Sequence, residues 1–344
     1  MTEPTHQARY DDLRRMVEKR IRGLPRGGSP EDLNDACRYV LAGGGKRVRA
    51  VLVLLSCEAV GGKAKQALEA SVALELMHNF TLVHDDIMDH APSRRGRPTV
   101  HIRWNLNNAL LAGDVLLAMA YAALLRTRTP ELSPALELFT NALLQLCEGQ
   151  ALDLEFEKRT DLSVRDYFRM IGKKTGSLFS AAGEIGGLVG GGSQRQIGAL
   201  SEFGHHLGRA FQLQDDLLDV MADQSRLGKS IGGDILERKK TYLLLRAAER
   251  ARGRDRVVVQ ALLRGRRTHP DGSEGMTRRS GRSAEARMVS MVTDIYRRYG
   301  ILEDTQRQVR ANTRKAVNAL HALPRNEPTA TLRWLSESLV KRAS

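Results

Sequence analysis

Apolar residues recur along most of the chain at steps of three and four. Between Ala64 and Asp89 they fall at Leu68, Val72, Leu76, Phe80, Val83 and Ile87, one stripe on an α-helix. A second stripe, Ile197, Leu200, Phe203, Leu207 and Ala210, predicts a long helix from Ser193 to Met221. Leu-rich and Ala-rich stretches predict further helices near 107–127, 134–158 and 235–263. Strand patterns are scarce: Val51–Leu55 and Val257–Val259 are short apolar runs inside longer helical patterns. There is no βαβ alternation and no regular internal repeat. Gly and Pro cluster at 23–30, 43–45, 61–62, 186–192 and 265–281, and these read as helix–helix loops within one all-α domain covering residues 1–344.

Composition supports this. Of 344 residues 42% are hydrophobic but only 5% aromatic, so a sizeable core must rest on Leu, Ala, Val and Ile, which favours helices. The 54 basic and 40 acidic residues leave a net charge of +14, which suits nucleic acid, an anionic membrane or a polyanionic small substrate. Cys37, Cys57 and Cys147 form no CxxC pair or Cys/His cluster and read as buried thiols of a cytoplasmic protein. The polar start MTEPTHQARYDDLRRM is no signal peptide, and no run of about 18 apolar residues predicts a transmembrane segment. Arg264–Arg287 carries seven arginines broken by Pro, Gly and Ser and reads as an exposed, mobile basic loop without aromatic residues to support RNA or membrane contact.

Two acidic clusters interrupt the apolar helices. Asp85, Asp86 and Asp89 form D-D-I-M-D, and Asp215, Asp216 and Asp219 form D-D-L-L-D. Positions i and i+4 share a helix face, so Asp85 pairs with Asp89 and Asp215 with Asp219, with the middle aspartate off-axis. Three like charges on about one turn repel each other, and Asp is a poor helix former, so the arrangement asks for a cation. Oxygen donors without His or Cys favour Mg2+, which keeps several waters and binds through one or two carboxylates plus substrate phosphates. Two clusters about 130 residues apart could then grip one diphosphate from opposite walls. A solvated acidic patch explains one such cluster, but not two in apolar helices.

Basic residues accompany the carboxylates. Gly43-Gly44-Gly45-Lys46-Arg47-Val48-Arg49 predicts a glycine-rich turn opening a helix, with N–H groups available to phosphate and with Lys46 and Arg49 on one face. It is no P-loop, since Arg47 follows Lys46; Gly228-Lys229-Ser230 fails as well, with Asp223 in place of the first glycine. His78, seven residues before Asp85, shares its face and is a candidate phosphate contact. In Arg94-Arg95-Gly96-Arg97-Pro98, adjacent arginines on irregular backbone can reach different anions. Lys173-Lys174-Thr175-Gly176 and the group Lys229, Asp234, Lys239 and Lys240 lie near helix ends. Gln212 shares the face of Asp215 and Asp219 and offers an amide dipole.

The order G-G-G-K-R-x-R, H-D-D-I-M-D, R-R-G-R-P-T, G-D, K-T-G, F-Q-L-Q-D-D-L-L-D and G-K-S-I-G-G-D-…-K-K-T resembles the polyprenyl synthetase (trans-isoprenyl diphosphate synthase) family over residues 43–242; residues 243–344 match only in being helical. The resemblance implies a single bundle of antiparallel helices around a deep central cavity, a homodimer, and three Mg2+ ions with Asp85, Asp89 and Asp215 as metal ligands. It implies an isopentenyl diphosphate site at Gly45, Lys46, Arg49, His78 and Arg95. It implies an allylic diphosphate site at Asp85, Asp86, Asp89, Arg94, Lys174, Thr175, Gln212, Asp215, Lys229 and Lys239. Asp216 and Asp219 complete the second motif, Asp219 acting through water, and Lys239 ranks ahead of its neighbour Lys240.

The reaction so implied is head-to-tail prenyl transfer. The allylic C–O bond ionises against neutralising charge, the isopentenyl double bond attacks the cation held near Gln212 and Thr175, and a proton leaves to the diphosphate. No Ser/His or Cys/His nucleophile is needed. Phe80 is five residues before Asp85, about 7–8 Å deeper along a helix, where a ring can stop the growing chain, with small Thr81 beside it. With that aromatic and no insertion in the first motif, the resemblance implies a C20 product, geranylgeranyl diphosphate, with C15 farnesyl diphosphate as the alternative. A terpene cyclase would carry a single D-D-x-x-D beside an N-D-x-x-S-x-x-x-E-like motif, and a non-catalytic subunit would lack one cluster. A nucleic-acid partner is not expected: there is no recognition module, and the aspartates would go unexplained.

Overall fold

The computed structural model describes residues 3–24, 30–221, 232–265 and 278–341. The chain runs α1 Glu3–Arg22, α2 Glu31–Leu41, α3 Val48–Ala59 and α4 Leu68–Met88, then a short hairpin of β1 Ser93–Arg94 and β2 Arg97–Pro98. It continues through α5 Val100–Arg103, α6 Leu106–Leu124, α7 Leu132–Lys158, α8 Val164–Ile171, a π-turn Gly172–Gly176, α9 Ser177–Val189 and α10 Gln194–Met221. After these come α11 Gly233–Glu237, α12 Tyr242–Arg250, α13 Gly253–Leu263, α14 Arg278–Arg298, α15 Ile301–Ala319, a 3-10 turn Leu320–Ala322 and α16 Glu327–Lys341. The all-α class holds, with β1 and β2 the only sheet among the described residues.

The chain divides into two compact units: Met1–Leu144 with Ser177–His205 and Ala316–Glu337, and Gln145–Gly176 with His206–Lys315 and Ser338–Ser344. The first is built around α3, whose Val51–Leu55 run is fully buried as helix, packed against α1, α4 and α9. An apolar run without alternation suits a helix buried on every side. The glycines of 186–192, expected in a loop, are partly inside α9. A Cβ on Gly186 would lie 2.3 Å from the Val53 carbonyl oxygen, so glycine is needed there for close helix approach. On α4, the predicted stripe Val72, Leu76, Phe80 and Val83 is buried, and α6 packs against this helix, with Gly113 against His84.

Helix α6 bears on the expectation of no transmembrane segment without overturning it. It is long and apolar enough to cross a membrane by length and composition, because Asn107, Asn108 and Asp114 break the apolar run without making the helix polar on average. One such helix is weak evidence, since packed helices pass the same test.

The second unit has its own core, in which Leu213, Leu217 and Val220 of α10 meet Tyr167 and Met170 of α8 and residues of α12, α13, α14 and α15. The helix expected over 235–263 is three helices. Arg238 takes a left-handed φ of 58°, Thr241 caps α12 by accepting from the Leu244 N–H at 3.4 Å, and Ala251 is extended. Of the expected loop 264–287, residues 278–287 are helical in α14, while 266–277 lie outside the described residues.

Asp304 of α15 holds several elements of this unit together. It accepts hydrogen bonds from the Tyr242 hydroxyl at 2.8 Å, Arg246 Nε at 2.9 Å and Arg307 at 2.6 Å, and Arg250 lies 3.1 Å away. Burial alone would raise its pKa, but the bonds from Tyr242, Arg246 and Arg307 outweigh it and hold the carboxyl well below the usual range. Asp304→Asn should therefore cost about 2–4 kcal/mol in urea denaturation at neutral pH. Because the folded pKa is depressed, this contribution is present above the unfolded value near about 4 and is lost as pH falls below it. The gap between wild type and variant should narrow in acid.

Candidate active site

The first acidic cluster ends α4, and its aspartates are unequal. Asp86 is buried and accepts from Arg94 Nε at 2.8 Å, whereas Asp85 is half-buried and Asp89, which closes the helix, is exposed. Burial pushes the Asp86 carboxyl up, and Arg94 opposes this without cancelling it. Arg94 is placed by the β1–β2 hairpin, whose two turn residues, Arg95 and Gly96, both have left-handed φ (53° and 73°), as a tight two-residue turn requires. The same turn brings the Arg95 guanidinium onto the Gly44 carbonyl oxygen. Gly45 has a φ of 136°, which favours glycine, and the Arg95 guanidinium lies close against it, 3.0 Å from where a Cβ would stand.

Lys46 is exposed and precedes α3, so it does not share a helical face with Arg49; between them Arg47 caps the helix in a left-handed conformation, φ 52°. The Lys46 carbonyl accepts from the Tyr10 hydroxyl. Arg49 lies 4.6 Å over the Phe179 ring, and its NH1 is 3.1 Å from His78 Nε2. Burial, then the positive charges of Arg49, Arg95, Arg94 and Arg47, hold His78 well below its ordinary pKa. The imidazole is therefore neutral, with Nε2 accepting from Arg49 and the proton on Nδ1.

Beneath this surface is a network that sequence reasoning missed. The Arg47 guanidinium donates to Glu75 at 2.7 Å and to the Leu41 carbonyl at 3.0 Å, with the Arg47 and Glu75 side chains each 3% exposed. Buried Asn79 donates to the Glu75 carbonyl oxygen at 2.7 Å. The available signal was one acidic residue, Glu75, between Leu74 and Leu76 in an apolar helix.

In the second unit, the second cluster repeats the inequality. Asp216 is buried and accepts from the Tyr167 hydroxyl at 2.7 Å and from Gln212 Nε2 at 2.9 Å; the Gln212 carbonyl accepts from Thr175 Oγ1 at 2.9 Å. Gln212 thus engages Asp216 one turn on. Asp215 is exposed, and half-buried Asp219 accepts from the Asp234 N–H at 2.9 Å. Thr175 and Lys174 sit in the π-turn, which Gly149 of α7 lets come close: a Cβ there would lie 2.3 Å from the Lys174 nitrogen. Lys174 pairs with Asp153 at 2.6 Å and Lys239 with Glu237 at 3.0 Å. Lys240 is buried and donates to the Leu263 carbonyl at 2.7 Å. Lys229 lies outside the described residues.

Negative charge is in excess here. Burial, then Asp216 and Asp219, push Asp234 up to about 8, and burial pushes Asp216 up to about 6. The buried Tyr296 hydroxyl is raised as well, by burial and the same three carboxylates. No cluster of three or more His, Cys, Asp or Glu donors forms a ready metal cage among the described residues. Crowded oxygen donors of this kind fit Mg2+, a hard cation that completes its shell with water and phosphate.

The sequence matches the polyprenyl synthetase family over residues 30–275. The chain belongs to that family. It is 37% identical to the short chain isoprenyl diphosphate synthase of Methanothermobacter thermautotrophicus over 95% of each chain. It superposes with a TM-score of 0.88 on the geranylgeranyl pyrophosphate synthetase of Pyrococcus horikoshii, at 37% identity over 98% of this chain and 99% of that one. A polyprenyl synthase of Caulobacter crescentus, crystallised with calcium and isoprenyl diphosphate, superposes at TM-score 0.84 and 28% identity over 99% of this chain and 97% of that one. The protein is thus a trans-prenyltransferase with the all-α isoprenoid synthase fold.

Glu75→Gln tests the buried network directly. It leaves the Arg47 cation without its counter-charge, and denaturation should show a loss of about 3–5 kcal/mol; a loss below 1 would mean that the pair is not what holds the glycine loop to α4.

Proposed function

We propose that this synthase condenses isopentenyl diphosphate with an allylic diphosphate and releases geranylgeranyl diphosphate. The observation that carries the reading is the common build of the two clusters: the middle aspartate is buried on protein donors, and the outer pair stays more exposed. The Caulobacter relative, crystallised with a hard divalent ion and an isoprenyl diphosphate, supports the same chemistry. Because the relatives match the chain almost end to end, its two units are taken as one synthase domain.

In this reading Asp85, Asp89 and Asp215 would hold magnesium, three ions with substrate present, and Asp219 would act through water. When bound, the metal supplies charge neutralisation to the leaving diphosphate. Arg94, Lys174, Lys229 and Lys239 share in binding the allylic diphosphate. Lys46, Arg49 and Arg95 bind the isopentenyl diphosphate, and neutral His78, accepting from Arg49, orients that guanidinium without adding a competing charge. The Thr175 hydroxyl oxygen and the Gln212 carbonyl, locked together and onto Asp216, present fixed dipoles to the allylic cation. The departing diphosphate takes the final proton. Phe80, buried on α4, is the floor that stops elongation at C20.

A homodimer fits α5 and α6, where Ile102, Leu106, Leu110 and Leu111 are 41–56% exposed. Free thiols suit the cytoplasmic location we propose; Cys37 and Cys57 are buried, their thiols raised by burial to about 11 and about 12, whereas Cys147, expected to be buried, is exposed.

Purified protein given Mg2+, isopentenyl diphosphate and allylic starters of one, two or three isoprene units should yield C20, and EDTA should abolish it. Asp85→Asn and Asp215→Asn should each lower turnover by about 100-fold or more, and Phe80→Ala should lengthen products. Folded wild type yielding no prenyl product from any starter contradicts the proposal, while a C15 end point keeps the chemistry and raises the floor. Light scattering should give a dimer mass that Leu111→Lys reduces.

A further inference from the structure

We propose that His84, seated in a notch at Gly113, is a positioning residue for Phe80 and so helps to set product length; the inference rests on the prenyl-transfer reading above. Phe80 and His84 are one turn apart on α4 and share a face. Their rings meet edge to face, centroids 4.8 Å apart at 67°. His84 Nε2 lies 3.1 Å from the Leu110 carbonyl oxygen on α6, so Nε2 carries the proton and donates it. The Asp114 carboxylate is 4.0 Å from the same nitrogen.

Gly113 makes the seat. A Cβ at that position would lie 2.2 Å from His84 Nε2 and 2.5 Å from Cδ2, closer than non-bonded atoms approach, so no residue but glycine accommodates the ring where it stands. The need is for space, as the backbone there is ordinary helix. The imidazole is thus held by a hydrogen bond, by its close seat on Gly113 and by the edge of Phe80. The buried Phe80 ring in turn has this fixed imidazole as its edge-to-face neighbour. The aromatic floor belongs to a two-helix assembly in which α6 sets the stop on α4.

Two variants push this assembly in opposite directions. His84→Ala empties the seat, frees Phe80 to turn away and should shift product from C20 towards C25 and longer, with the KM for isopentenyl diphosphate unchanged. Gly113→Ala drives the imidazole against Phe80 and should raise the C15 share. Product length is read by reversed-phase chromatography after dephosphorylation, with circular dichroism melts to establish folding. Gly113 lies at a tight helix contact; should its variant not fold, His84→Ala alone decides. An unchanged length distribution in active, folded His84→Ala overturns the proposal. Wild type giving no prenyl product is a different result, and overturns the underlying reading and this inference together.

Discussion

Carboxylates set into apolar helices are the constraint on which the rest of this molecule depends. A buried carboxylate must be neutralised or hydrogen-bonded, and three in about one turn cannot all find partners within their own helix. The protein meets this the same way twice. Asp86 is given an arginine from a two-residue hairpin; Asp216 is given a tyrosine and a glutamine. Anchoring the middle aspartate fixes the helix face, and that fixes where Asp85 and Asp89, or Asp215 and Asp219, project.

Supporting structure follows from the same need. The left-handed Arg95–Gly96 turn aims Arg94, the buried Arg47–Glu75 pair holds the glycine loop to α4, and the π-turn brings Thr175 to Gln212. In the first unit burial, then the neighbouring arginines, hold His78 neutral, whereas in the second burial pushes Asp216 upward, and burial with the neighbouring carboxylates does the same to Asp234. The arginines suit a polyanionic substrate and the carboxylates a hard metal ion. The net charge of +14 is explained more economically by a diphosphate substrate than by nucleic acid.

Much of the architecture was legible in periodicity. The stripes on α4 and α10 predicted those helices within a few residues, because each buries one face and the 3.6-residue repeat survives in the sequence. The aspartate spacing was legible for the same reason. Partner groups were not: Tyr167 lies 49 residues before Asp216, and Glu75 is 28 residues from Arg47, so their meeting is a product of packing. The breaks at Arg238 and Ala251 were missed because helix propensity runs through them, and Gly186 was read as a loop because only the approach of α3 explains a glycine inside a helix. Lys46 was placed on a helical face that begins two residues later.

The central proposal is that the outer aspartates hold a hard cation together with a diphosphate. It is tested most directly by the melting temperature of the full chain with MgCl2, with inorganic diphosphate, and with both. The account predicts a clear rise with both together, little with either alone, and loss of the rise in the Asp85→Asn/Asp215→Asn double variant. No rise with both present, or an equal rise in the double variant, would contradict it.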